Sequence, residues 1–457
     1  MGKIKIWLLM LLATLVAYGA SARYGFSQDD FYFLAISRAH DLGQFLSFFS
    51  PFTQSGFAFF RPVGTQVYYF LFVSAFGLTH APLAMHIFML LLQSVNGYLV
   101  YLLVRKLVKN EAVAVTIGVL YAASAVHFLS LFYIAATQEL LAACFSLLSL
   151  NFFLAKRYWR SMIFFGFALL SKETAVATPA LAFLLTQYEF GFRIVNKKYL
   201  PRFLPYLLSS IFYLLVRLSA GLHVQPDYHM VFGTNVIGGL RWYWWFAFGL
   251  PERITSYAGS HLSVNFSQFT RDTGISGLFV ALAALALSLF TLSRTVYELL
   301  RGGARRLRAS IYILWWVAGI ALVVAIPAHY YPHYLDLALI PLLLLMVGDT
   351  PPRIRYSLSG LYLVTSLVAI NLSVATHWTV QRADMVVRAE KLITATHACD
   401  HSAWNITGIG SAPLEVSYAL SLANGPRVLC NNPALQVEYG SAANRGVFTL
   451  PALGILQ

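Results

Sequence analysis

FSQDDFYFLAISRAHDLGQFLSFFSPFTQSGFAFFRP, residues 26–62, is the stretch from which the architecture of the chain follows. It comes directly after the first apolar segment, contains the adjacent acids Asp29 and Asp30, and ends with Arg61-Pro62. The residues between them are amphipathic and rich in aromatic side chains, and they contain no second clean membrane span. A polar loop with paired acids where a chain leaves the bilayer indicates a functional site, because a plain connection does not need those acids.

Composition places the chain in a membrane. Of its 457 residues, 58% are hydrophobic and 11% are charged, and the mean hydropathy is +0.66, outside the range of soluble domains. Apolar runs of about 18 residues or more, long enough to cross a bilayer core, recur along the sequence. The formal charge of +14 is dispersed between these runs, as in cytoplasmic loops, and is not clustered on a soluble face that could bind nucleic acid. We predict an all-α polytopic membrane protein.

The positions of Lys and Arg predict about 11 spans, with the N-terminus inside and the C-terminus outside. Lys3 and Lys5 hold the N-terminus inside, residues 6–22 cross outward, and residues 23–81 form an external catalytic loop with juxtamembrane helices. Within it, residues 63–78 are expected at the outer surface, because a crossing there would place the next basic cluster outside. The N-terminus also resembles a signal peptide, but a retained first span fits the loop behind it.

The other predicted spans follow the same charge rule. The segment 160–188 has Lys172 and Glu173 between two apolar arms and basic residues at both ends. It therefore predicts two short helices in a hairpin, with these charges at its outer tip. The remaining spans are predicted at residues 82–104, 112–132, 137–155, 203–220, 274–293, 310–328, 333–348 and 354–374.

Two domains are predicted. Residues 1–375 form the transmembrane domain, and residues 376–457 form a small external domain of α/β or mixed type, because this part is more polar and rich in turn signals. Cys399 and Cys430 lie in the external domain, where an oxidising compartment permits a disulfide, and the sequence leaves their pairing open. Cys144 lies inside a span and is expected to be a small core residue. No metal-ligand spacing appears among the cysteines.

On this topology the ionisable candidates for a site all face the outside. Charged groups at membrane depth are costly, so each is expected to have a function or a partner. The candidates are Asp29, Asp30, Arg61, His127, Glu139, Lys172, Glu173, His329 and His333. The structural alternatives are an N-cap at Asp29 or Asp30, snorkelling of Arg61, a Lys172–Glu173 ion pair, a helix cap at Glu139 and a core histidine at His127. These alternatives do not explain why acids and bases converge on one face.

Carboxylates and cations at the outer leaflet suit one type of reaction. A carboxylate can take the proton of an acceptor hydroxyl as a general base, and cations can stabilise the charge that grows on an anionic leaving group. A lipid phosphate is the anion found there, so transfer of a sugar from a polyprenyl-phosphate carrier fits these residues. A monophosphate leaving group places little demand on a metal, and the sequence has no Asp-x-Asp motif, so we expect no metal or other cofactor.

Four motifs, in order, resemble the GT-C class of membrane glycosyltransferases, and within it the O-mannosyltransferases that carry tetratricopeptide repeats and their bacterial relatives. The resemblance covers residues 25–190. Its motifs are the acid pair, FFRPVGTQVYYFLFVSAFGL at 59–78, LYAASAVHFLSLFYIAATQELLAACFSLLSL at 120–150, and GFALLSKETAVATP at 166–179. It implies a GT-C-like helical bundle and an inverting transfer at the outer face.

The resemblance also implies roles for individual residues. Asp29 or Asp30 would be the general base, and Glu139 would orient the donor or the acceptor. Arg61 and Lys172 would bind the lipid phosphate. His333 and Tyr334 would assist with the phosphate. The further substrate-binding candidates are His127, Gln138, Glu173 and His329. The aromatic run RWYWWFAF at 241–248 would form part of the sugar and acceptor wall, or alternatively an interfacial belt helix.

The sequence departs from the family pattern at several points. Ala136-Thr137 stands where the family has Gly-Arg, Gln138 stands near a position where a small residue is usual, and His333 in PHYLDLALIPLL replaces an arginine. Tetratricopeptide repeats are not found in the sequence, so a protein acceptor is not carried over. The acceptor stays open between glycan, lipid and protein, and the sugar between hexose and pentose.

Two other classes stay as alternatives. A secondary transporter or lipid flippase would place its charges at mid-bilayer in two related halves, whereas here they collect at one face. An oligosaccharide ligase with a pyrophosphate-linked donor would carry arginine pairs in large external loops, whereas Arg241, Arg253 and Arg271 are well separated. The expected location is a bacterial inner (plasma) membrane, with the active site and the C-terminal domain facing the periplasm.

Overall fold

The structure, a computed structural model, describes residues 2–54, 59–190, 200–219, 228–258, 263–408, 411–440 and 448–452. Most of this part is helical. The helices are α1 (Lys3–Tyr18), α2 (Asp29–Ile36), α3 (Leu42–Ser47), α4 (Tyr68–Val108), α5 (Glu111–Ala122), α6 (Phe128–Phe132), α7 (Thr137–Leu154), α8 (Tyr158–Ser171), α9 (Thr178–Phe190), α10 (Leu200–Ser219), α11 (Thr234–Ala247), α12 (Phe266–Arg301), α13 (Gly303–Ile320), α14 (Leu339–Val347), α15 (Pro352–Thr376), α16 (Trp378–Ala395), α17 (Ala412–Ala419) and α18 (Asn424–Leu429). The strands are β1 (Ala403–Thr407), β2 (Gln436–Gly440) and β3 (Phe448–Pro451).

Six helical segments in the described ranges are long and apolar enough to cross a membrane. They contain α1, α4, α5, α7, α12 and α15. Large apolar side chains are exposed along several of these helices, for example Leu12 (58%) on α1 and Leu282 (57%) on α12, as expected for surfaces that face lipid. The chain is an all-α membrane protein, as predicted, while the total of about 11 spans stays a prediction.

The first loop contains the expected short helices, α2 and α3, and a π-helix at Val63–Val67 leads from it into α4. Helix α4 is interrupted at Gly77, whose φ of +69° is a left-handed conformation that glycine adopts readily. The break falls near the end of residues 63–78 and before residues 82–104, the two segments that the charge pattern distinguishes. Their depths in the membrane stay predictions.

The helices pack as two connected groups. Helices α1, α4, α5, α7 and α8 pack against one another, and α12 packs on α13, α14 and α15. Contacts of α14 with α5, and of α9 with both α7 and α13, join the groups. The predicted interruption within residues 160–188 is present, because α8 ends at Ser171 and Lys172 is extended (φ −161°, ψ 146°) before a 3₁₀ turn, Glu173–Ala177.

The C-terminal residues form a small α/β unit, which agrees with the predicted type. Strand β1 pairs in parallel with both β2 and β3, giving the order β2-β1-β3. Helix α16 packs on α17, and α18 packs on α2 of the first loop. Cys399 and Cys430 form a disulfide, which resolves the pairing that the sequence left open, and Cys144 is buried as expected.

Candidate functional site

The Arg-Pro segment is held tightly against the helices that carry the other site residues. Thr65 N–H donates to Arg61 O (3.0 Å) as the π-helix begins, and π-turns are frequent at functional sites. A Cβ on Gly64 would lie 2.4 Å from Ser171 O and 2.8 Å from Gln138 Cβ. The glycine therefore permits the backbone to lie directly on α7 and on the end of α8.

This packing brings Arg61 onto Glu173. Arg61 is 4% exposed, and its Nε and Nη2 each donate to one Glu173 carboxylate oxygen at 2.6 Å, while Nη1 donates to Gln138 Oε1 at 2.8 Å. Arg217 Nη1 lies 3.3 Å from the same carboxylate, and the Phe59 ring lies 3.9 Å from the Arg61 guanidinium. This bidentate pairing with Glu173 fixes the plane of the Arg61 guanidinium.

A second buried pair joins Lys172 and Glu139. Lys172 Nζ lies 2.7 Å from Glu139 Oε1, and Thr174 Oγ1 donates to Glu139 Oε2 at 2.9 Å. The Lys172 ammonium also lies 5.0 Å from the centre of the Tyr334 ring. Lys172 and Glu173 thus have separate partners, because the extended backbone at Lys172 points successive side chains in opposite directions.

The predicted histidines line the neighbouring segment. His127 Nδ1 lies 2.8 Å from Asp336 Oδ1, and His333 stacks on Tyr331 with ring centres 5.5 Å apart. All three polar residues are buried. Their remaining polar atoms, His127 Nε2, His333 Nδ1 and Asp336 Oδ2, have no hydrogen-bond partner within the described part of the chain. Buried polar atoms of this kind are candidates for ligand contacts.

His329 and the aromatic run lie at the edge of the same region. The His329 ring is 4.0 Å from the Tyr228 ring, and Tyr243 OH donates to His329 O at 3.3 Å. Trp242, Tyr243 and Phe246 are themselves buried. These three rings and Phe248 belong to the protein core, so only Arg241, Trp244 and Trp245 of the run keep part of their surface exposed.

The two acids have opposite environments. Asp30 is fully buried, and its carboxylate accepts hydrogen bonds from Ser27 N–H (2.7 Å) and Tyr69 OH (2.5 Å). Burial raises the pKa of Asp30 to about 7, although both hydrogen bonds lower it. Neither acid is the N-cap of α2, because that position belongs to Gln28.

Asp29 has an exposed side chain. Its backbone N–H donates to Tyr133 OH at 2.9 Å. The surrounding protein removes hydration and raises the pKa of the Asp29 carboxyl, while the Tyr133 hydroxyl, Arg61 and Arg382 act in the opposite direction. The carboxylate therefore lies within electrostatic reach of two arginines, one from the first loop and one from α16.

Sequence reasoning missed several neighbours of these residues. Asp336 had a usable signal, since it is an acid within the apolar run PHYLDLALIPLL. Arg382 and Gln28 had none, because Arg382 lies on a polar helix and Gln28 precedes the acids in a loop. Arg382 Nη1 nevertheless donates to Gln28 Oε1 at 2.7 Å. The structure thus brings the predicted residues together and adds a contribution from the C-terminal unit.

A cavity of about 850 Å³ lies between the segment that follows α1, the break in α4, α16 and Cys399 of the disulfide. None of the predicted site residues lines it. Among the residues that the structure describes, no group of three or more His, Cys, Asp or Glu side chains is arranged to hold a metal ion.

The fold is shared with archaeal oligosaccharyltransferases. One is AglB from Archaeoglobus fulgidus in complex with an inhibitory peptide and a dolichol-phosphate, with a TM-score of 0.50 and 11% identity over 91% of this chain and 63% of that one. Another is the Archaeoglobus fulgidus oligosaccharyltransferase in complex with Zn and sulfate, with a TM-score of 0.50 and 12% identity over 91% and 61%. This chain therefore spans less than two thirds of their length.

These likenesses concern the fold. The shared fold agrees with the predicted helical membrane architecture, while membership of the GT-C class belongs to the proposal below. No protein-family model and no curated protein sequence matches the chain. The finer resemblance to O-mannosyltransferases stays a prediction, because a fold alone does not define an activity.

Proposed function

We propose that this protein is a GT-C glycosyltransferase that transfers a sugar from a polyprenyl-phosphate carrier to an acceptor hydroxyl at the outer face of the membrane, with inversion. The observation that carries the proposal is the position of Asp29. It is an exposed carboxylate within electrostatic reach of Arg61 and Arg382, and Arg61 belongs to the cluster of buried ion pairs. An acid open to a substrate beside fixed cations is what this transfer needs.

Asp29 is the better base of the two acids. A general base must reach the proton that it removes, and Asp29 is exposed, whereas Asp30 is 0% exposed and holds Ser27 N–H and Tyr69 OH. Asp30 then anchors the start of α2, which carries Asp29.

Arg61 and Lys172 are proposed to hold the phosphate. Arg61 already donates three hydrogen bonds to Glu173 and Gln138 and also contacts Tyr228, so it would act on the phosphate mainly through its charge. Lys172 has three donors and forms an ion pair with Glu139. His333 and Tyr334 lie beside Lys172 and would complete the phosphate site. The dolichol-phosphate in the AglB complex is an anion of this class.

The proposed reaction uses these residues as follows. Asp29 takes the proton of the acceptor hydroxyl as its oxygen forms a bond to the anomeric carbon. On the opposite face of the sugar, the bond from that carbon to the phosphate oxygen breaks, and the electron pair remains on the phosphate. Arg61 and Lys172 stabilise the charge that grows there. The products are the inverted glycoside and a free polyprenyl phosphate.

The remaining candidates are proposed to bind the sugar or acceptor. These candidates are Glu173, which belongs to the pair with Arg61, together with Gln138, His127 and His329. Glu139 would orient a substrate hydroxyl. Since fixed cations supply the positive charge at the leaving group, we propose that no metal or other cofactor is required. Transfer is then expected to continue at an undiminished rate in excess EDTA.

The oligosaccharide ligase is kept as the second candidate, because both solved structures above are oligosaccharyltransferases. It would differ in using a pyrophosphate-linked donor. The two functions make different predictions for the lipid that accompanies the purified protein.

The experiment combines lipid analysis with variants of the first loop. Mass spectrometry of lipids that copurify with the detergent-solubilised protein should detect a polyprenyl phosphate or its glycosylated form. Asp29→Asn should lower turnover about 10²- to 10⁴-fold with donor binding retained. The matched control is Asp41→Asn, an acid of the same loop that caps α3, where asparagine caps equally well. A pyrophosphate-linked oligosaccharide would favour the ligase, and normal turnover of the Asp29 variant would exclude Asp29 as the base.

A further inference from the structure

The residue before the proposed base is held in an unusual conformation. Gln28 has φ +53° and ψ −122°, values typical of glycine at the first central position of a type II′ turn. A residue other than glycine is strained at this φ, so surrounding contacts must hold the Gln28 backbone in this conformation. The contacts come from the C-terminal unit.

Two hydrogen bonds connect Gln28 to that unit. Its backbone N–H donates to Ala419 O, at the end of α17, at 2.8 Å. Its side-chain Oε1 accepts from Arg382 Nη1, on α16, at 2.7 Å. Gln28 is buried, so neither bond is easily replaced by water.

Two aromatic rings and a carboxylate fix the orientation of the Arg382 guanidinium. Its guanidinium carbon lies 5.3 Å from the Trp378 ring centre and 4.9 Å from the Tyr418 ring centre, and Nη2 lies 3.6 Å from Glu415 Oε2. Stacked arginines of this kind are stabilised by cation–π attraction and lose little freedom when they donate a hydrogen bond.

The same helix also supports Asp29 from its other side. Asp29 N–H donates to Tyr133 OH at 2.9 Å, and the Tyr133 ring packs edge-on against Trp378 with centres 6.1 Å apart. The C-terminal unit therefore contacts the groups on both sides of the Asp29 backbone.

We propose that Arg382 is a positioning residue for the glycosyl transfer: through Gln28 it fixes Asp29, so that the C-terminal unit completes the active site. This inference rests on the proposed function, in which Asp29 is the base. It assigns the C-terminal unit a part in the reaction besides any role in folding.

Arg382 should also affect the pH profile. The charged or titratable groups around Asp29 are Asp30, Arg61, Tyr32, Tyr133, Tyr228 and Arg382. Arg382 lowers the pKa of Asp29, so its removal should raise that pKa. Since the base acts as a carboxylate, the acidic limb of the pH–rate profile should move to higher pH.

The test compares Arg382→Ala and Arg382→Lys with Lys391→Ala, which removes an exposed cation from the same helix. Arg382→Ala should lower kcat about 10- to 100-fold, as expected for a misplaced catalytic group, with little change in KM and with the acidic limb shifted upward. Arg382→Lys should restore the limb, because it restores the charge, but only part of kcat. Unchanged kcat in Arg382→Ala, beside an active wild type, would overturn the inference.

Gln28→Gly separates positioning from folding. Glycine accepts the φ of this position, which offsets the loss of the hydrogen bond from Arg382. The thermal stability should therefore change little, whereas kcat should fall as in Arg382→Ala. The double variant, Gln28→Gly with Arg382→Ala, should have a kcat no lower than that of the slower single variant, because both substitutions break the same hydrogen bond. Losses of kcat that add up in the double variant would overturn the inference.

A readout without substrate distinguishes this inference from the proposed function. Hydrogen exchange at the amides of Gln28 and Asp29 should be faster in Arg382→Ala than in Lys391→Ala and wild type. Unchanged exchange would overturn the positioning role, whatever the activity. If exchange is faster in Arg382→Ala but the wild type transfers no polyprenyl-linked sugar, Arg382 still positions Asp29, and it is the proposed function that is rejected.

Discussion

Adjacent residues with the same side chain have different physical roles in this molecule. Asp29 and Asp30 differ by one position in the first turn of α2, so they face different directions. Asp30 points into the protein, where its carboxylate holds Ser27 and Tyr69, and Asp29 remains exposed. The sequence predicted the acid pair but could not separate the two acids, because their difference depends on what packs against each.

The burial of Asp30 predicts a pH dependence of stability. The carboxyl titrates near 3.8 in the unfolded chain and near 7 in the fold, so the folded state binds the proton more tightly. Stability therefore falls as pH rises between these values and is constant above them for this group. Asp30→Asn removes the titration. The melting temperature of wild type minus that of the variant should decrease from about pH 4 to about pH 7 and then level off; a constant difference would contradict the buried environment.

The role of Lys172 in phosphate binding needs a test that allows for its partner. Lys172→Ala alone would leave the Glu139 carboxylate buried and unpaired, which costs about 3–5 kcal/mol. Adding Glu139→Gln removes that charge and should restore much of the stability. If Lys172 holds the phosphate, the double variant should still bind the polyprenyl-phosphate donor more weakly than Glu139→Gln alone. Equal donor affinity of these two proteins, measured by titration in detergent, would limit Lys172 to a structural role.

At the level of elements, the site depends on interruptions of helices. The sequence predicted the interruption at Lys172-Glu173, since two charges between apolar arms are costly inside one span. It did not predict that each charge pairs elsewhere, Lys172 with Glu139 and Glu173 with Arg61. These pairings depend on how α7, α8 and the π-helix pack, and a single sequence does not contain that distance information.

The π-helix gives a prediction at this scale. Gly64→Ala would place a methyl group 2.4 Å from Ser171 O, which must push the Arg-Pro segment away from α7 and α8. We expect lower stability and a loss of activity, because Arg61 moves with the segment. Gly166→Ala in α8 is the control, since a Cβ there meets nothing within 4 Å, and alanine in a helix is favoured by about 0.5–1 kcal/mol. Similar thermal unfolding curves for both variants would show that the close packing is not required.

At the level of the whole molecule, composition was enough to predict a helical membrane protein with a small α/β unit at its end. Composition could not show that this unit contacts the first loop. Gln28 and Arg382 are 354 residues apart, and no periodicity or motif links positions at that separation. The same holds for His127 and Asp336, which are 209 residues apart. Contacts of this length are set by the packing of the complete helical bundle.

The predicted orientation of the chain can be argued further from one ion pair. Arg308 Nη2 lies 3.0 Å from Asp349 Oδ2, so the start of α13 and the segment before α15 lie at the same membrane face. The residues between them therefore cross the bilayer twice or not at all. Helix α15 is predicted to cross the membrane, and in that case positions before α13 should lie opposite to the C-terminal unit.

Cysteine labelling tests this orientation. Ala304→Cys, in the basic run, should react with a membrane-impermeant maleimide only after permeabilisation, because basic loops remain inside. Gln436→Cys, on β2, should react in intact cells. Both positions are exposed, and the native background is low since Cys144 is buried and Cys399 is bonded to Cys430. If both variants react from the same side, α15 does not cross, and the predicted orientation of the basic run or of the C-terminal unit is wrong. If they react from opposite sides, the charge pattern and the Arg308–Asp349 pair agree on one topology, with Asp29 and Arg382 both outside.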